Sequence, residues 1–290
     1  MQTMTRKTAL KLANASFDSE KLQSLLLQLF PKDGKRGSWA WAAHKLLRWM
    51  RNPSQPLPFK VFVKGNSKLP FYAFSALPLV TCPGAGSCKK FCYSLRAWRY
   101  PAAFFRQILN TVLLSTPEGR ERIGKAFDAL PLGVTVRLYV DGDIHSETVL
   151  GFWFSQCVKR SDLRIYGYSK SWDIFLNWKG EFPSNYRLNL SSGSLYGKAK
   201  REAMARLPIV RGEFLAVPVQ SVAPKRNPLN GEPLDMDAWN LHRAEVSQKA
   251  KELGHSKVFV CPGLCAFCLH GKHACGSDKL KGVAIAIGIH

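Results

Sequence analysis

Val136-Arg-Leu-Tyr-Val140-Asp141-Gly-Asp143-Ile-His145 is an apolar, β-branched run that stops abruptly in an acidic glycine turn. A helical pattern over Glu147–Lys159 follows, and then a second apolar run over 163–168. Strand, helix and strand at this spacing make a βαβ unit, whose two strands lie parallel. The alternation extends in both directions. Strands are expected over 59–63, 71–81, 135–140, 163–168, 186–190, 214–217 and 257–260, and helices over 102–114, 119–129, 147–159, 197–206 and 236–253. The fold class is therefore α/β, with a mostly parallel sheet that is either open or curled into a partial (β/α) barrel.

Residues 1–56 read as an N-terminal helical segment ahead of an α/β domain over 57–290. Asp18 or Ser19 caps a helix carrying Leu22, Leu25, Leu26, Leu29 and Phe30 at helical spacing. A turn at 31–37 breaks it, and Ser38 caps a second helix rich in tryptophan (Trp39, Trp41, Trp49), whose rings are expected to pack. The loop between Pro218 and Asp237, rich in Pro, Asn and Gly over 224–233, reads as an exposed insertion or flap.

A chain of 290 residues that is 46% hydrophobic builds a core without disulfides, so its eight cysteines call for another use. No apolar run has the length of a signal peptide or a membrane span, which points to a soluble cytoplasmic protein with no membrane partner. In a reducing compartment, clustered cysteines favour metal. The 42 Lys and Arg against 20 Asp and Glu give a net charge of +22. That excess repels itself unless a polyanion offsets it, so nucleic acid is the expected partner, DNA and RNA being equally served.

Seven of the eight cysteines fall in two groups, each opening Cys-Pro-Gly directly after an apolar run. Cys261, Cys265, Cys268 and Cys275, spaced x3, x2 and x6, are expected to hold one metal centre. Structural zinc prefers paired Cys-x2-Cys hooks, so this spacing favours an iron–sulfur cluster, [4Fe–4S], with zinc as the alternative. His270 and His273 are either further ligands or loop histidines that face phosphate. Cys82, Cys88 and Cys92 are expected to hold the other centre. Three cysteines either leave one iron open or take a fourth ligand from elsewhere, such as Cys275 or a histidine. Cys157 sits at an apolar helical position and reads as core.

Other polar groups also stand where strands end. Asp141 and Asp143 are candidate divalent-metal, acid–base or cofactor-binding groups, or simply a capped glycine turn. Lys170 is a candidate catalytic or phosphate-binding cation. Ser191, Ser192, Gly193 and Ser194 form either an anion cradle or ordinary helix caps. In parallel α/β sheets such groups gather at one rim, the carboxyl ends of the strands.

The series Thr81-Cys82-Pro-Gly-Ala-Gly-Ser-Cys88-Lys-Lys-Phe-Cys92-Tyr93, Val140-Asp-Gly-Asp143 and Tyr168-Ser-Lys170-Ser171 resembles the gene product 88 proteins of phages and plasmids, over roughly residues 60–270. That resemblance implies a mobile-element origin and no particular reaction. More distantly, the chain resembles the radical S-adenosylmethionine enzymes, partial α/β barrels with three cysteines after an early strand. This second resemblance implies that Asp141-Gly-Asp143 meets the amino group of S-adenosylmethionine and that Cys261–Cys275 hold an auxiliary cluster. The early triplet here is spaced x5, x3, and the x3, x2 spacing usual in that superfamily occurs instead at Cys261–Cys268. The expected function is thus an iron–sulfur protein of a mobile element that binds or acts on nucleic acid, with radical chemistry as its enzymatic form. The alternative is a non-catalytic protein, stapled by zinc or iron–sulfur, that binds DNA or a protein partner.

Overall fold

Three helices open the chain: α1 (Arg6–Ala15), α2 (Ser19–Leu29) and α3 (Trp39–Arg51). The computed structural model describes residues 4–65, 69–269 and 273–289. Asp18 caps α2 by accepting from the Lys21 N–H at 3.0 Å, and Ser38 caps α3 by accepting from the Trp41 N–H at 3.1 Å. Helix α1, capped by Thr5, was not expected, because its buried stripe is made largely of alanines between cations. Trp39 and Trp49 of α3 are buried in the same core as the sheet, so these rings pack as their spacing predicts.

Among the described residues the sheet has eight strands: β1 (Val63–Lys64), β2 (Tyr72–Ala73), β3 (Thr135–Leu138), β4 (Arg164–Ser169), β5 (Tyr186–Ser191), β6 (Val210–Pro218), β7 (Val258–Val260) and β8 (Ala284–Ile289). Their order is β1-β2-β3-β4-β5-β6-β8-β7; β1 pairs with β2 antiparallel, and the other pairings of these strands are parallel. The α/β class and the mostly parallel sheet are as the sequence predicts. Two expected strands, 59–63 and 71–81, shrink to two-residue pairings. Beyond Ala73 the second of them continues as single bonds, Phe74 N–H to the Arg137 carbonyl and Val140 N–H to the Phe74 carbonyl, until Pro78, which has no N–H to give. Strand β6 is longer than its apolar pattern suggests, and β8 was not foreseen.

Between and after the strands lie α4 (Pro101–Ser115), α5 (Pro117–Asp128), α6 (Glu147–Lys159), α7 (Trp172–Leu176), α8 (Lys198–Ala205) and α9 (Met236–Glu252). From β3 to β6 each strand is placed beside the last in one direction. Right-handed crossovers then put every connecting helix on the same face. On that face Val136, Leu138, Ile165, Leu188 and Leu190 pack with Phe104, Ile108, Leu150 and Trp153, and with Leu12, Leu22 and Leu46 of the opening helices. Helix α9 extends the layer over Leu215, Val217, Ala284 and Ala286.

The connection from β7 to β8 runs the other way, because β8 inserts between β6 and β7. A right-handed crossover in that reversed direction has to pass over the opposite face. The chain that makes this passage is the cysteine-rich segment after Val260. It packs Cys268, Ala274, Cys275 and Leu280 against Phe71, Tyr166, Tyr168, Phe214, Phe259 and Ile285.

Candidate metal centres on the rim and on the inner face

Thr81 anchors the first cysteine loop. Its hydroxyl donates to the Leu77 carbonyl at 2.6 Å and accepts from the Asp143 N–H at 3.2 Å. The loop then lies against the ends of β4 and β5. The Gly86 N–H donates to the Gly193 carbonyl at 2.9 Å, the Leu195 N–H donates to the Gly84 carbonyl at 3.0 Å, and Ala85 bridges Ser194. Gly193 adopts φ +77°, and a Cβ there would come within 3.0 Å of the Cys88 Cβ. The rim predicted from strand ends is therefore real for this loop: Cys82, Cys88, Asp143, Lys170 and the 191–194 turn meet there.

The hydroxyls of that turn are already used. Ser191 Oγ accepts from Lys170 Nζ at 2.7 Å, Ser192 Oγ accepts from the Ala216 N–H at 2.9 Å, and Ser194 Oγ donates to the carbonyls of Gly84 and Lys170 at 3.3 Å. The turn serves as the seat of the cysteine loop. Asp143 is likewise committed, accepting from the Ile144 N–H and the Lys170 N–H, each at 2.8 Å. Asp141 accepts from Gln107 Nε2 at 2.9 Å. Burial raises the pKa of both carboxyls, and their hydrogen bonds work against the rise.

The second cysteine segment leaves the rim at Cys261 and descends the inner face, the side of the sheet opposite the helices. Asn189, in mid-strand, donates to the Cys275 carbonyl at 2.9 Å, and Arg187 at the start of β5 holds Asp278 through Nε at 2.7 Å. Only the first cysteine of this group thus stands at a strand end, and the expected sharing of one rim gives way to two separate places. The sequence pattern did not show this, since the path of the segment follows from strand order.

Two guanidiniums face the segment. Arg211 is 1% exposed and donates Nε to Asn189 Oδ1 at 2.6 Å and its terminal nitrogens to the carbonyls of Leu280, Val283 and Glu213. Arg137 stacks on Tyr168 at 4.6 Å with its Nε buried and unpaired. Through space, Arg137 acts on Tyr168, Tyr93, Tyr166 and Cys265, and Arg211 acts on Cys275. Neither arginine forms an ion pair with a carboxylate among the described residues. The signal for this face lay in the polar residues at alternate positions of otherwise apolar strands, Arg137, Asn189 and Arg211.

Burial pushes the Cys82 and Cys261 thiols up to about 12 and Cys275 to about 11. Within each group the sulfurs act on one another: Cys92 on Cys82 and Cys88, and Cys275, Cys265 and Cys268 on Cys261. Among the described residues no three His, Cys, Asp or Glu side chains stand in finished metal-holding geometry. The surroundings of the second group nevertheless suit one. Tyr166 Oη, both ring nitrogens of His273, Arg137 Nε and Ser277 Oγ are buried without partners. His273 is 5% exposed, has φ +45° and lies 4.4 Å from the Tyr166 ring. Burial, with Arg137 and Arg211 nearby, lowers its pKa to about 4, so the ring is neutral. Unpaired buried donors and uncompensated cations beside four thiols fit an anionic thiolate-held group. His270 lies outside the described residues. Cys157 is fully buried in the core, as read from its spacing.

A family model described as Gene product 88 matches residues 59–271. The chain belongs to the gene product 88 family. The match bears out the resemblance carried by the cysteine, Asp-Gly-Asp and Ser-Lys-Ser motifs. It takes in every cysteine of the two groups except Cys275. No curated protein and no solved structure matches the chain. Among the described residues no helix is long and apolar enough to cross a membrane.

Proposed function

We propose that this gene product 88 protein is an iron–sulfur protein of a mobile genetic element that binds nucleic acid and acts on it or beside it. One observation carries the reading: the buried Arg211 and the half-buried Arg137, whose Nε is itself buried, stand by Cys275 and Cys265 on a sheet face where neither has a carboxylate partner among the described residues. Four thiolates around a cluster supply the negative charge those cations lack. Cys261, Cys265, Cys268 and Cys275 hold this centre, and Tyr166, Arg137 and the Tyr168 hydroxyl donate toward it. Cys82, Cys88 and Cys92 hold the second centre at the rim, where Lys170 acts on Cys82 and Cys88 and Asp143 fixes the loop. A cluster held by these three cysteines would supply one-electron reduction to a bound cofactor, and S-adenosylmethionine would be that cofactor in the enzymatic form of the reading. The sequential parallel strands with helices on one face support a likeness to the radical S-adenosylmethionine enzymes.

A second reading has its own observation. Both oxygens of Asp143 accept from backbone N–H groups, and the half-buried Asp141 accepts from Gln107, so both carboxylates already have structural partners. A non-catalytic, metal-stapled binding protein needs no more than that. Anaerobic purification followed by iron, sulfide and zinc analysis and electron paramagnetic resonance tests both. A brown protein with a cluster signal that disappears on substitution of Cys268 or Cys275 supports the first. A colourless protein holding stoichiometric zinc sinks it and leaves the second.

A further inference from the structure

Cys92 lines a cleft of about 250 Å³ together with Leu95 and four cations, Arg6, Lys90, Arg96 and Arg99. The described carboxylates that form ion pairs do so elsewhere, as at Arg48–Asp33, Lys159–Asp128 and Arg187–Asp278, and none of those pairs engages the four. Like charges so gathered repel one another unless an anion enters. The cations come from two parts of the chain, the first turn of α1 and the 3-10 turns over Ser87–Phe91 and Tyr93–Arg99. In a 3-10 helix, side chains three apart eclipse, at a spacing of about 6 Å. Tyr93, Arg96 and Arg99 thus fall along one edge. Tyr93 is 61% exposed and Tyr100, next to Arg99, is 67% exposed. The Tyr93 hydroxyl donates to the Val140 carbonyl at 3.1 Å, which pins that ring while leaving it uncovered.

Cations in a row with uncovered aromatic rings beside them are the two components of single-strand recognition, one for phosphates and one for bases. A duplex keeps its bases stacked inside and has none to lay on a ring. We propose that this cleft seats a single-stranded nucleic acid, its phosphates on Arg6, Lys90, Arg96 and Arg99 and unpaired bases on Tyr93 and Tyr100, so that the strand passes directly over Cys92. The assignment rests on the nucleic-acid reading above and adds to it the strandedness of the ligand and its place against the Cys82, Cys88 and Cys92 site.

The test measures anisotropy of short labelled deoxy and ribo strands, and of the matching duplex, with anaerobically purified protein across a salt series. The doubly substituted Arg96→Glu/Arg99→Glu protein should bind single strands at least about tenfold more weakly, with the salt slope reduced by about 1.4, near 0.7 per lost phosphate contact. Tyr100→Ala should weaken binding about 5- to 150-fold with an unchanged slope. Arg6→Glu, on a different element, repeats the charge test if the double variant fails to fold. Wild-type binding that survives all three substitutions overturns the cleft and leaves the nucleic-acid reading standing. Absence of binding to any strand or duplex overturns that reading as well. Tighter binding of duplex than of single strand, indifferent to Tyr100→Ala, overturns the single-strand assignment.

Discussion

Gly84 stands so close to Lys170 that a Cβ on it would come within 1.7 Å of the Lys170 carbonyl oxygen. The atoms opposing it are backbone, which cannot swing aside. Gly84→Ala should therefore push the cysteine loop off the ends of β4 and β5, at a cost of roughly 1–3 kcal/mol. Metal content at the Cys82, Cys88 and Cys92 site should fall while the inner-face site is retained. Gly197→Ala is the control, since nothing lies within 4 Å of the Cβ it would add. Denaturant unfolding with metal analysis on both variants decides. Equal stability and equal metal in the two would show that the close seat does not matter.

Asp143 offers a direct contest between a chemical role and a positional one. Asp143→Ala leaves the N–H groups of Ile144 and Lys170 buried without an acceptor, each costing about 1–3 kcal/mol. Asp143→Asn keeps one acceptor and should fall between that variant and the wild type. A graded loss in Tm, Ala below Asn below wild type, with metal content following it, is expected. If both variants keep the wild-type Tm but lose whatever reaction the protein performs, the carboxylate serves chemistry.

The helices and the parallel sheet were legible because their physics is local. Helix α6 has a capping Ser146 and an apolar stripe of one period, and β4 and β5 are short β-branched and aromatic runs between turns. The inner face was not legible, for a reason of topology. The place of the Cys261–Cys275 segment depends on β8 inserting between β6 and β7, and Ala284-Ile-Ala-Ile-Gly-Ile carries no mark of which neighbours it will have. The seven cysteines were evident as two groups from spacing alone. That the 191–194 turn seats the first group was hidden, since serines and a glycine before a helix read equally well as a cap or an anion site. The roles of Arg137 and Arg211 needed the fold, because a charge in a strand pattern looks like a solvated edge until both faces are seen to be covered.

The flap after β6 is tied down by one carboxylate. Glu245 on α9 accepts from the N–H groups of Gln220 at 2.7 Å and Ser221 at 2.9 Å. Hydrogen bonds from the Ser221 hydroxyl and these two N–H groups hold its pKa at about 2, below its ordinary 4.5. A depressed carboxyl stabilises the folded arrangement above its ordinary pKa, and that contribution is lost as pH falls from about 4.5 toward about 2. Amide hydrogen exchange at Gln220 and Ser221, corrected for intrinsic rates, should accelerate over that window. Glu245→Gln should show the faster exchange already at neutral pH and little further change in acid. Exchange that is independent of pH in the wild type would show that the flap is held by something else.

Arg211 carries the sharpest consequence of the inner-face arrangement, since it is buried, charged and bonded on every side. Its fork ties β5 through Asn189 and the end of the cysteine segment through the Leu280 and Val283 carbonyls. Arg211→Met removes the charge but strands these acceptors, at a cost of roughly 3–5 kcal/mol. Arg211→Lys keeps the charge as a point and cannot span the same partners, so it should recover only part of the stability. The two variants part company on metal. If the guanidinium charge balances thiolates at Cys275 and its neighbours, Arg211→Lys should hold the inner-face metal better than Arg211→Met even where the two are equally unstable. Metal retention under mild chelation, compared at matched fraction folded, reads this out. Identical loss in both would reduce Arg211 to a brace between strands and remove the charge argument for a cluster on this face.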